Sequence, residues 1–329
     1  MKALCFDRFG GPEVLEYREL PDPQAGPGEA IVRMRAVGLN FADVYRRKGS
    51  YHLAGQPPYV PGYEGAGVVV RVGPPPATED ADAGKMPRVG DRVGFADVPF
   101  ANAELVAAPA SRLIPLPDDV SFQTAAASLL QGLTAQYLTR DSHPVAPGQT
   151  VAVHAAAGGV GLLLVQIAKL LGARVIGLTS SEEKRAAALA AGAEQVALYG
   201  EEWVDAVRAF GGGTGVDVVY DSVGSTLRDS LRAVRTGGHV VFYGMAGGDP
   251  QPVDPRLLMD ESKSLTGGDL WNVLTGHAER VRRSAELFGW IRDGRLHVEV
   301  SRTFPLAEGA AAHAFLESRR SIGKVLLVP

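Results

Sequence analysis

The sequence holds a single cysteine, Cys5, among its 329 residues. A lone thiol excludes a disulfide framework within the chain and any zinc site that needs several cysteines. Scarcity of cysteine is also typical of a reducing compartment, and the opening residues meet an aspartate and glycines too early for a secretory signal peptide. We therefore expect a cytoplasmic protein in which Cys5 is a buried strand residue.

Long apolar runs and an excess of positive charge are missing as well. The most apolar stretch, 151–178, is interrupted by His154, Gln166 and Lys169, whereas a membrane-spanning helix needs about 20 predominantly apolar residues in succession. The 33 Lys and Arg residues are outnumbered by 37 Asp and Glu, for a net charge of −4. Without a basic stripe the chain is not expected to bind nucleic acid, and no membrane span is expected.

Glycine and proline are abundant, at 40 and 22 residues, and predict many tight turns. The chain is nevertheless 46% apolar, which excludes a disordered protein, and its length is typical of two domains. Residues 1–122 combine short strand patterns with turn residues and predict a glycine-rich β domain. Within it, 74–88 contains prolines and acids with almost no large apolar residue, so we expect an exposed loop there.

The pattern changes near Ser121, where apolar residues recur at helical spacing behind a Ser cap. After Pro147, apolar runs alternate with helical patterns as far as about residue 271. Strands separated by helices are typical of βαβ crossovers, so 123–271 is predicted to form a doubly wound parallel sheet that binds a dinucleotide. The remaining segment, 272–329, contains one long helix and returning strands, and we expect it to complete the first domain.

A glycine-rich turn follows the first strand of the predicted sheet and opens an apolar helix. It consists of Ala156, Ala157, Gly158, Gly159, Val160 and Gly161. In the G-x-G-x-x-G pattern the second glycine lets the backbone approach a pyrophosphate, and the third lets the helix pack closely on the strand. Here Ala156 replaces the first glycine. The helix N-terminus supplies N–H groups and a partial positive charge for phosphate.

The tip of the second strand, 178–181, carries hydroxyl groups where an NAD-selective loop would place a carboxylate. Lys184 lies about one helical turn further on, where it could neutralise a 2′-phosphate. Ser180 and Lys184 therefore favour NADPH over NADH. In the alternative interpretation, Ser180 and Glu183 form a capping box that simply starts the helix.

Seven sequence blocks, in order along the chain, carry a family resemblance. They are GLNFADVYRRKGSY (38–51), VPGYEGAGVV (60–69), VGDRV (89–93), QGLTA (131–135), HAAAGGVG (154–161), VDVVYDSVG (216–224) and LESRRSIGKVLL (316–327). In these blocks the chain resembles the zinc-independent, zeta-crystallin-like quinone oxidoreductases of the medium-chain dehydrogenase/reductase superfamily. The resemblance implies an α/β protein with a Rossmann domain and a GroES-like, β-barrel-type catalytic domain.

Zinc-dependent relatives place a Cys in the block matching GLNFAD and a His before the Glu of the block matching GYEGAG. This chain has Asn40 and Tyr63 there. A catalytic zinc needs three protein ligands, and the seven histidines include no H-x-x-x-H pair. We therefore expect no metal, with hydride moving without a Lewis acid.

The resemblance also implies where the site residues lie. Around the nicotinamide and the substrate it places Asn40, Asp43, Tyr45 and Tyr51, with Gln131 and Thr134 near the nicotinamide. At the adenosine 2′-phosphate it places Lys184, Tyr199 and Arg319, and at the carboxyl edge of the sheet Ser222, Val223, Gly224 and Gly244. Structural alternatives stay open: Asn40 as a helix cap with Asp43 on the helix dipole, Tyr45 as packing, and Gln131 in a plain helix turn.

These observations favour an NADPH-dependent reductase that transfers hydride to a quinone. An enone, 2-alkenal or enoyl-thioester reductase on the same fold is the alternative, and a crystallin-like or RNA-binding protein that keeps the NADPH site is less favoured. Arg46 and Arg47 are interpreted as solvated helix residues, or as phosphate contacts at the cleft mouth, and 269–271 as a variable substrate-facing stretch. By resemblance we expect a homodimer, with the strand at 239–244 as a candidate sheet edge.

Overall fold

The computed structural model describes residues 1–76, 85–200 and 202–329, which form two compact units. The first unit comprises Met1–Leu133, Trp271–Gly294 and Val298–Pro329, and the second comprises Thr134–Leu270 and Arg295–His297. Of the exposed loop predicted over 74–88, residues 77–84 lie outside the described part of the chain.

The strands of the first unit are β1 (Lys2–Cys5), β2 (Glu16–Glu19), β3 (Glu29–Leu39), β4 (Gly65–Val72), β5 (Arg92–Phe95), β6 (Leu105–Pro109), β7 (Ile114–Pro115), β14 (Val300–Pro305) and β15 (Lys324–Val328). Those of the second are β8 (Thr150–Val153), β9 (Arg174–Thr179), β10 (Gln195–Leu198), β11 (Val216–Asp221), β12 (Val234–Phe242) and β13 (Ser264–Gly267).

The α-helices are α1 (Phe41–Lys48), α2 (Phe122–Tyr137), α3 (Gly159–Leu170), α4 (Glu182–Ala190), α5 (Trp203–Phe210), α6 (Leu227–Ala233), α7 (Pro255–Asp260), α8 (His277–Arg292) and α9 (Gly309–Glu317). Short 3₁₀ turns lie at Pro12–Val14, Ala110–Arg112, Leu270–Asn272 and Leu306–Glu308, and a π turn at Leu138–Ser142 follows α2. Within the described residues, no helix has the length and apolar character that crossing a membrane requires.

The main sheet of the first unit runs in the order β14-β15-β3-β4-β5-β7, and β6 also pairs with β3. Strand β15 pairs antiparallel with β3, with Val325 opposite Leu39. The C-terminal strands therefore belong to the same sheet as β3. Its core includes Phe6, Val37, Phe95 and Leu327, all fully buried.

The second unit contains a six-stranded parallel sheet in the order β10-β9-β8-β11-β12-β13. The alternation of strands and helices predicted after Pro147 is confirmed. Because the chain leaves β8 toward β9 on one side and β11 lies on the other, the strand order reverses between β8 and β11. In open α/β sheets a ligand binds at the carboxyl end of the strands beside such a reversal.

Candidate active site

The glycine-rich turn connects β8 to α3, and its third glycine, Gly161, lies where a side chain has no room. A Cβ atom added at Gly161 would overlap the carbonyl oxygen of Ala155, which itself lies in the left-handed region at φ 47°. Gly158 is the N-cap residue of α3 and has no side chain to bond the first N–H groups of the helix. The first N–H groups of α3, at Gly159 and Val160, and the adjoining backbone of Ala156 fit a pyrophosphate.

The second strand, β9, ends at Thr179, whose hydroxyl oxygen is buried and without a hydrogen-bond partner among the described residues. Ser180 is exposed, and α4 begins with Ser181 as its N-cap, whose hydroxyl accepts the backbone N–H of Lys184 at 3.3 Å. The capping-box interpretation of Ser180 with Glu183 is therefore wrong by one residue, since the neighbouring serine caps the helix.

Tyr199 follows β10 and is held beside the end of β9, because its backbone N–H donates to the carbonyl of Thr179 at 2.9 Å. Its hydroxyl oxygen accepts the backbone N–H of Ala155 at 3.0 Å and lies 3.0 Å from Nδ1 of His154. Tyr199 thus contacts the glycine-rich turn directly. Arg319 belongs to the first unit, where it follows α9, is exposed and has φ 59°.

Two further segments meet at the carboxyl edge of the same sheet. The carbonyl of Ser222 accepts the N–H of Ala246 at 3.0 Å, and that of Val223 accepts the N–H of Gly247 at 2.8 Å. A side chain at Gly224, which has φ 86°, would overlap the second segment. Ser222, Val223, Gly224 and Gly244 therefore lie together, as predicted, after β11 and β12.

In the first unit a buried polar cluster surrounds the Asn40 amide. The oxygen Oδ1 accepts from Nζ of Lys324 at 2.8 Å and from Nε2 of Gln131 at 3.2 Å. The nitrogen Nδ2 donates to Glu64 at 2.8 Å and to the carbonyl of Gly38 at 3.1 Å. All four hydrogen-bonding positions of this amide are occupied by protein groups. In this arrangement the Asn40 amide holds four neighbouring polar groups in fixed positions.

Lys324 and Glu64 form a fully buried ion pair, with Nζ 2.6 Å from Oε2. Burial lowers the pKa of Lys324, and the charge of Glu64 opposes that shift. The other Glu64 oxygen accepts the N–H of Leu130 in α2 at 2.7 Å. Sequence reasoning missed both residues, although both lie in blocks that carry the resemblance. A buried Lys that is 260 residues away in sequence from its partner leaves no spacing pattern that would reveal the pair.

Gln131 and Thr134 lie on α2, which continues through both positions as a helix, so the interpretation of Gln131 as part of a plain helix turn also stays open. Gln131 is 8% exposed, and its Oε1 has no hydrogen-bond partner among the described residues. Buried carbonyl oxygens in proteins are normally satisfied. An oxygen of this kind fits an amide N–H of a bound ligand such as the nicotinamide carboxamide.

Asn40 is the N-cap residue of α1, and its backbone N–H donates to Asp43 at 2.9 Å. Asp43 is 1% exposed and pairs with Arg46 at 3.1 Å. Burial raises the pKa of Asp43, whereas Arg46 and the Asn40 N–H oppose the shift. Asn40 thus caps α1, and Asp43 lies in the first turn of that helix, as the structural alternatives for these two residues require.

The interpretation of Arg46 and Arg47 as solvated helix residues is wrong. Arg46 is 2% exposed and Arg47 fully buried. Arg47 bonds the carbonyl of Gly10, the Nδ1 atom of His313 and the carboxylate of Glu317. Segments far away in sequence cover the face of α1 that carries Arg47. The sequence of an eight-residue helix does not show which of its faces other segments cover.

The Arg46 guanidinium lies beneath a set of aromatic rings, which we call the aromatic cluster. Its members are Tyr45, Tyr51, His52, Tyr63 and Trp271. The guanidinium carbon is 3.8 Å from the Tyr63 ring centre and 5.2 Å from those of Tyr51 and Trp271. Guanidinium and aromatic faces attract each other at these distances. Tyr45 and Tyr51 thus belong to the same cluster as Trp271. The sequence indicates Trp271 only as one residue of the variable stretch 269–271.

The donor atoms do not fit zinc. Asn40 and Tyr63, at the positions where zinc-dependent relatives have ligands, are engaged with protein groups, Tyr63 through the N–H of Ala54 at 3.0 Å. Within residues 1–76, 85–200 and 202–329, no three His, Cys, Asp or Glu side chains come together as metal ligands. No catalytic step is therefore assigned to a metal.

The second unit has a glycine-rich loop at the strand-order reversal of a parallel sheet, and the first unit has a glycine-rich β-sheet. This combination is typical of a two-domain dehydrogenase or reductase. Comparison with family models agrees with this class. Residues 26–148 match the alcohol dehydrogenase GroES-like domain, and residues 159–284 match the zinc-binding dehydrogenase family.

Individual relatives narrow the class. The chain is 40% identical to a quinone oxidoreductase of Pseudomonas aeruginosa, in a match that covers 100% of this chain and 99% of the relative. It is also 40% identical to a 2-haloacrylate reductase of Burkholderia, in a match that covers 99% of this chain and 98% of the relative. The structure of the Escherichia coli quinone oxidoreductase complexed with NADPH matches with a TM-score of 0.94 at 37% identity, covering 100% of both chains. The chain belongs to the zinc-independent quinone oxidoreductase family of the medium-chain dehydrogenase/reductase superfamily.

Proposed function

We propose that this protein is an NADPH-dependent reductase that transfers hydride to an uncharged quinone without a metal. When bound, NADPH supplies hydride from C4 of its nicotinamide. The residues of the chain therefore bind the coenzyme and the acceptor, orient them and exclude water. The proposal places the enzyme in the cytoplasm and gives it no nucleic-acid partner, in keeping with the net charge of −4.

The second unit fits the coenzyme. The first N–H groups of α3 and the space preserved at Gly161 fit the pyrophosphate. The buried, unpartnered oxygen of Thr179, at the end of β9, supports a proposed contact with the adenosine ribose. Ser180 and Lys184 are proposed to bind the 2′-phosphate, with Arg319 as the family resemblance implies. Tyr199, which the resemblance also places there, contacts the backbone of the glycine-rich turn through its hydroxyl group. Hydroxyl groups and cations favour a phosphate over a ribose hydroxyl.

The aromatic cluster is the observation that carries the choice of a quinone. Its rings offer flat, polarisable surface, and a planar quinone gains more from stacking on such rings than a flexible aliphatic chain does. Tyr51 is half-buried at the edge of this surface and carries a hydroxyl group. Tyr51 or water would donate the proton that the reduced oxygen requires, and Asn40 and Asp43 would hold α1 in place beneath the acceptor.

Reduction of a 2-haloacrylate is the second candidate, because a Burkholderia relative of that name is as similar to the chain as the quinone oxidoreductases are. An acrylate carries a carboxylate and needs a cation that is not already paired. At the polar and aromatic clusters, Arg46 pairs with Asp43 at 3.1 Å and Lys324 with Glu64 at 2.6 Å. Both cations are buried in carboxylate pairs, which favours an uncharged acceptor such as a quinone, an enone or a 2-alkenal.

Variants at Trp271 test the proposal. Trp271→Leu removes the ring and is expected to raise KM for a small quinone about tenfold, because ring contacts of this kind are worth about 0.5–1.5 kcal/mol each. Trp271→Phe keeps a ring and should restore most of the affinity. The Kd of NADPH should stay constant, and EDTA should not change the rate. A KM for quinone that is the same in Trp271→Leu and in the parent would refute the role of the aromatic cluster.

A further inference from the structure

A chain of buried hydrogen bonds crosses the second unit beneath the proposed coenzyme site. Nε2 of His154 lies 3.0 Å from the hydroxyl of Ser230, which donates to Oδ2 of Asp221 at 2.6 Å. On its other side, Nδ1 of His154 lies 3.0 Å from the hydroxyl of Tyr199. The side chains of His154, Ser230 and Asp221 are all fully buried.

The donors along this chain can be assigned at every step. The Asp221 carboxylate accepts, so Ser230 donates to it and its hydroxyl oxygen accepts from Nε2–H of His154. Burial lowers the pKa of His154, so the imidazole is neutral and Nδ1 carries no proton. The Tyr199 hydroxyl therefore donates to Nδ1, which turns its oxygen lone pairs toward the N–H of Ala155.

Asp221 also holds the other loop at this edge of the sheet. Its Oδ1 accepts the backbone N–H groups of Val223 at 2.8 Å and Gly224 at 3.1 Å, and Thr226 donates to both oxygens. Burial by itself raises the pKa of Asp221, but the hydrogen bonds that its carboxylate accepts from Ser230, Gly224 and Val223 hold it below its usual value. One ionised carboxylate thus anchors both loops.

We propose that His154, Ser230 and Asp221 are positioning residues for the coenzyme, which act through Tyr199 to fix the backbone of Ala155 and through Val223 and Gly224 to fix the second loop. The inference rests on the proposed NADPH site and assigns to this relay the geometry of the glycine-rich turn. Ala155 is the residue on which that geometry depends, because its left-handed backbone is strained for a residue other than glycine and its carbonyl faces Gly161.

The inference changes the expected role of Tyr199. As a contact to the 2′-phosphate, Tyr199 would favour NADPH alone. As a member of the relay it shapes the loop that binds the pyrophosphate, which NADPH and NADH share. The two roles predict different coenzyme selectivity in the same variant.

Binding measurements separate these roles. Ser230→Ala and Tyr199→Phe each remove one hydroxyl group, with its two hydrogen bonds in the relay. Each should weaken NADPH and NADH by the same factor, between about twofold and about tenfold. Ser284→Ala is the matched control, because Ser284 is a buried helical serine that bonds the carbonyl of Arg280 outside the relay. It should lower Tm while leaving both Kd values unchanged.

Two results would overturn the proposal. Unchanged Kd values in Ser230→Ala with a lowered Tm would show that the relay only stabilises the fold. A loss in Tyr199→Phe that is confined to NADPH would show that Tyr199 contacts the phosphate.

The tautomer of His154 gives a readout that needs no coenzyme. In protein labelled with ¹⁵N at histidine, His154 should be neutral with its proton on Nε2 near pH 7, and the resonance is assigned by its disappearance in His154→Gln. A proton on Nδ1, or a charged ring, would contradict the relay. If the parent binds neither NADPH nor NADH while the Nε2–H tautomer is present, the proposed function fails and the relay stands as a hydrogen-bond network without that ligand.

Discussion

At the scale of single residues, the buried pair of Lys324 and Glu64 has the largest expected energetic effect. Both side chains are within 1% of full burial. Removing one partner leaves an uncompensated charge in a region of low dielectric, whereas replacing both with neutral groups does not. Because Lys324 and Glu64 also bond the Asn40 amide, the pair fixes the polar cluster as well as the fold.

We expect Lys324→Met to lower the free energy of unfolding by about 3–5 kcal/mol, and the double variant Lys324→Met with Glu64→Gln to recover much of that loss. Denaturant unfolding measures both. Lys48→Met is the control, because Lys48 is half exposed and its pair with Glu317 is worth about 1 kcal/mol or less. A single variant as stable as the parent would contradict the account of this pair.

Lys184→Ala is expected to weaken NADPH and to leave NADH nearly unaltered, because a charge-assisted contact to phosphate is worth about 1.5–3 kcal/mol. Titration with both coenzymes measures the effect. The exposed Lys169 on α3 provides a control, Lys169→Ala, that should change neither affinity. Equal losses for the two coenzymes would show that Lys184 serves the structure only, and a parent that prefers NADH would refute the selectivity.

The residues that local pattern could predict are those whose role depends on neighbours in sequence. Gly158 and Gly161 follow from strand, turn and helix in succession. Arg46 and Lys324 could not be predicted, because their burial depends on elements far apart in the chain. Charge and helical spacing alone favour exposure for Arg46, and only the packed rings of Tyr63 and Trp271 explain why it is covered.

At the scale of elements, the glycine-rich turn and α3 depend on the absence of a side chain at Gly161. We expect Gly161→Ala to push α3 away from Ala155 and to weaken NADPH and NADH together by more than about tenfold, since overpacking costs about 1–3 kcal/mol. Fluorescence titration of both coenzymes measures this loss.

Gly289→Ala in α8 is the matched control, because a Cβ there would meet no atom within 4 Å. Alanine is about 1 kcal/mol more favourable than glycine inside a helix, so this variant should keep coenzyme affinity and be at least as stable as the parent. Unimpaired binding in Gly161→Ala would show that the turn does not need close helix packing.

The order of strands and helices from β8 to β12 was predictable, because apolar residues recur with a different period in strands and in helices, and glycines mark the ends of these elements. The position of each strand in the sheet was not. The strand at 239–244 was a candidate edge, yet β12 is flanked by β11 and β13. Strand β13 is short, and its pattern of apolar residues is too weak to distinguish it from a loop.

At the scale of the whole molecule, the expected homodimer remains a proposal. In the six-stranded sheet the outer strand on this side is β13, so an edge-to-edge pairing would involve β13 and not β12. We expect a sedimentation mass of about twice the chain mass of 34.7 kDa at micromolar concentration. A mass near that of one chain would contradict the dimer.

The central claim is that the acceptor is an uncharged quinone, and the most direct test compares acceptors by kcat/KM with NADPH, since that ratio measures discrimination. Small ortho and para quinones, a 2-alkenal, a 2-haloacrylate and an enoyl-CoA should be assayed at equal concentration. The account predicts that a quinone has the highest kcat/KM. A preference of tenfold or more for the haloacrylate, the alkenal or the enoyl-CoA over every quinone, equivalent to about 1.4 kcal/mol in the transition state, would contradict it.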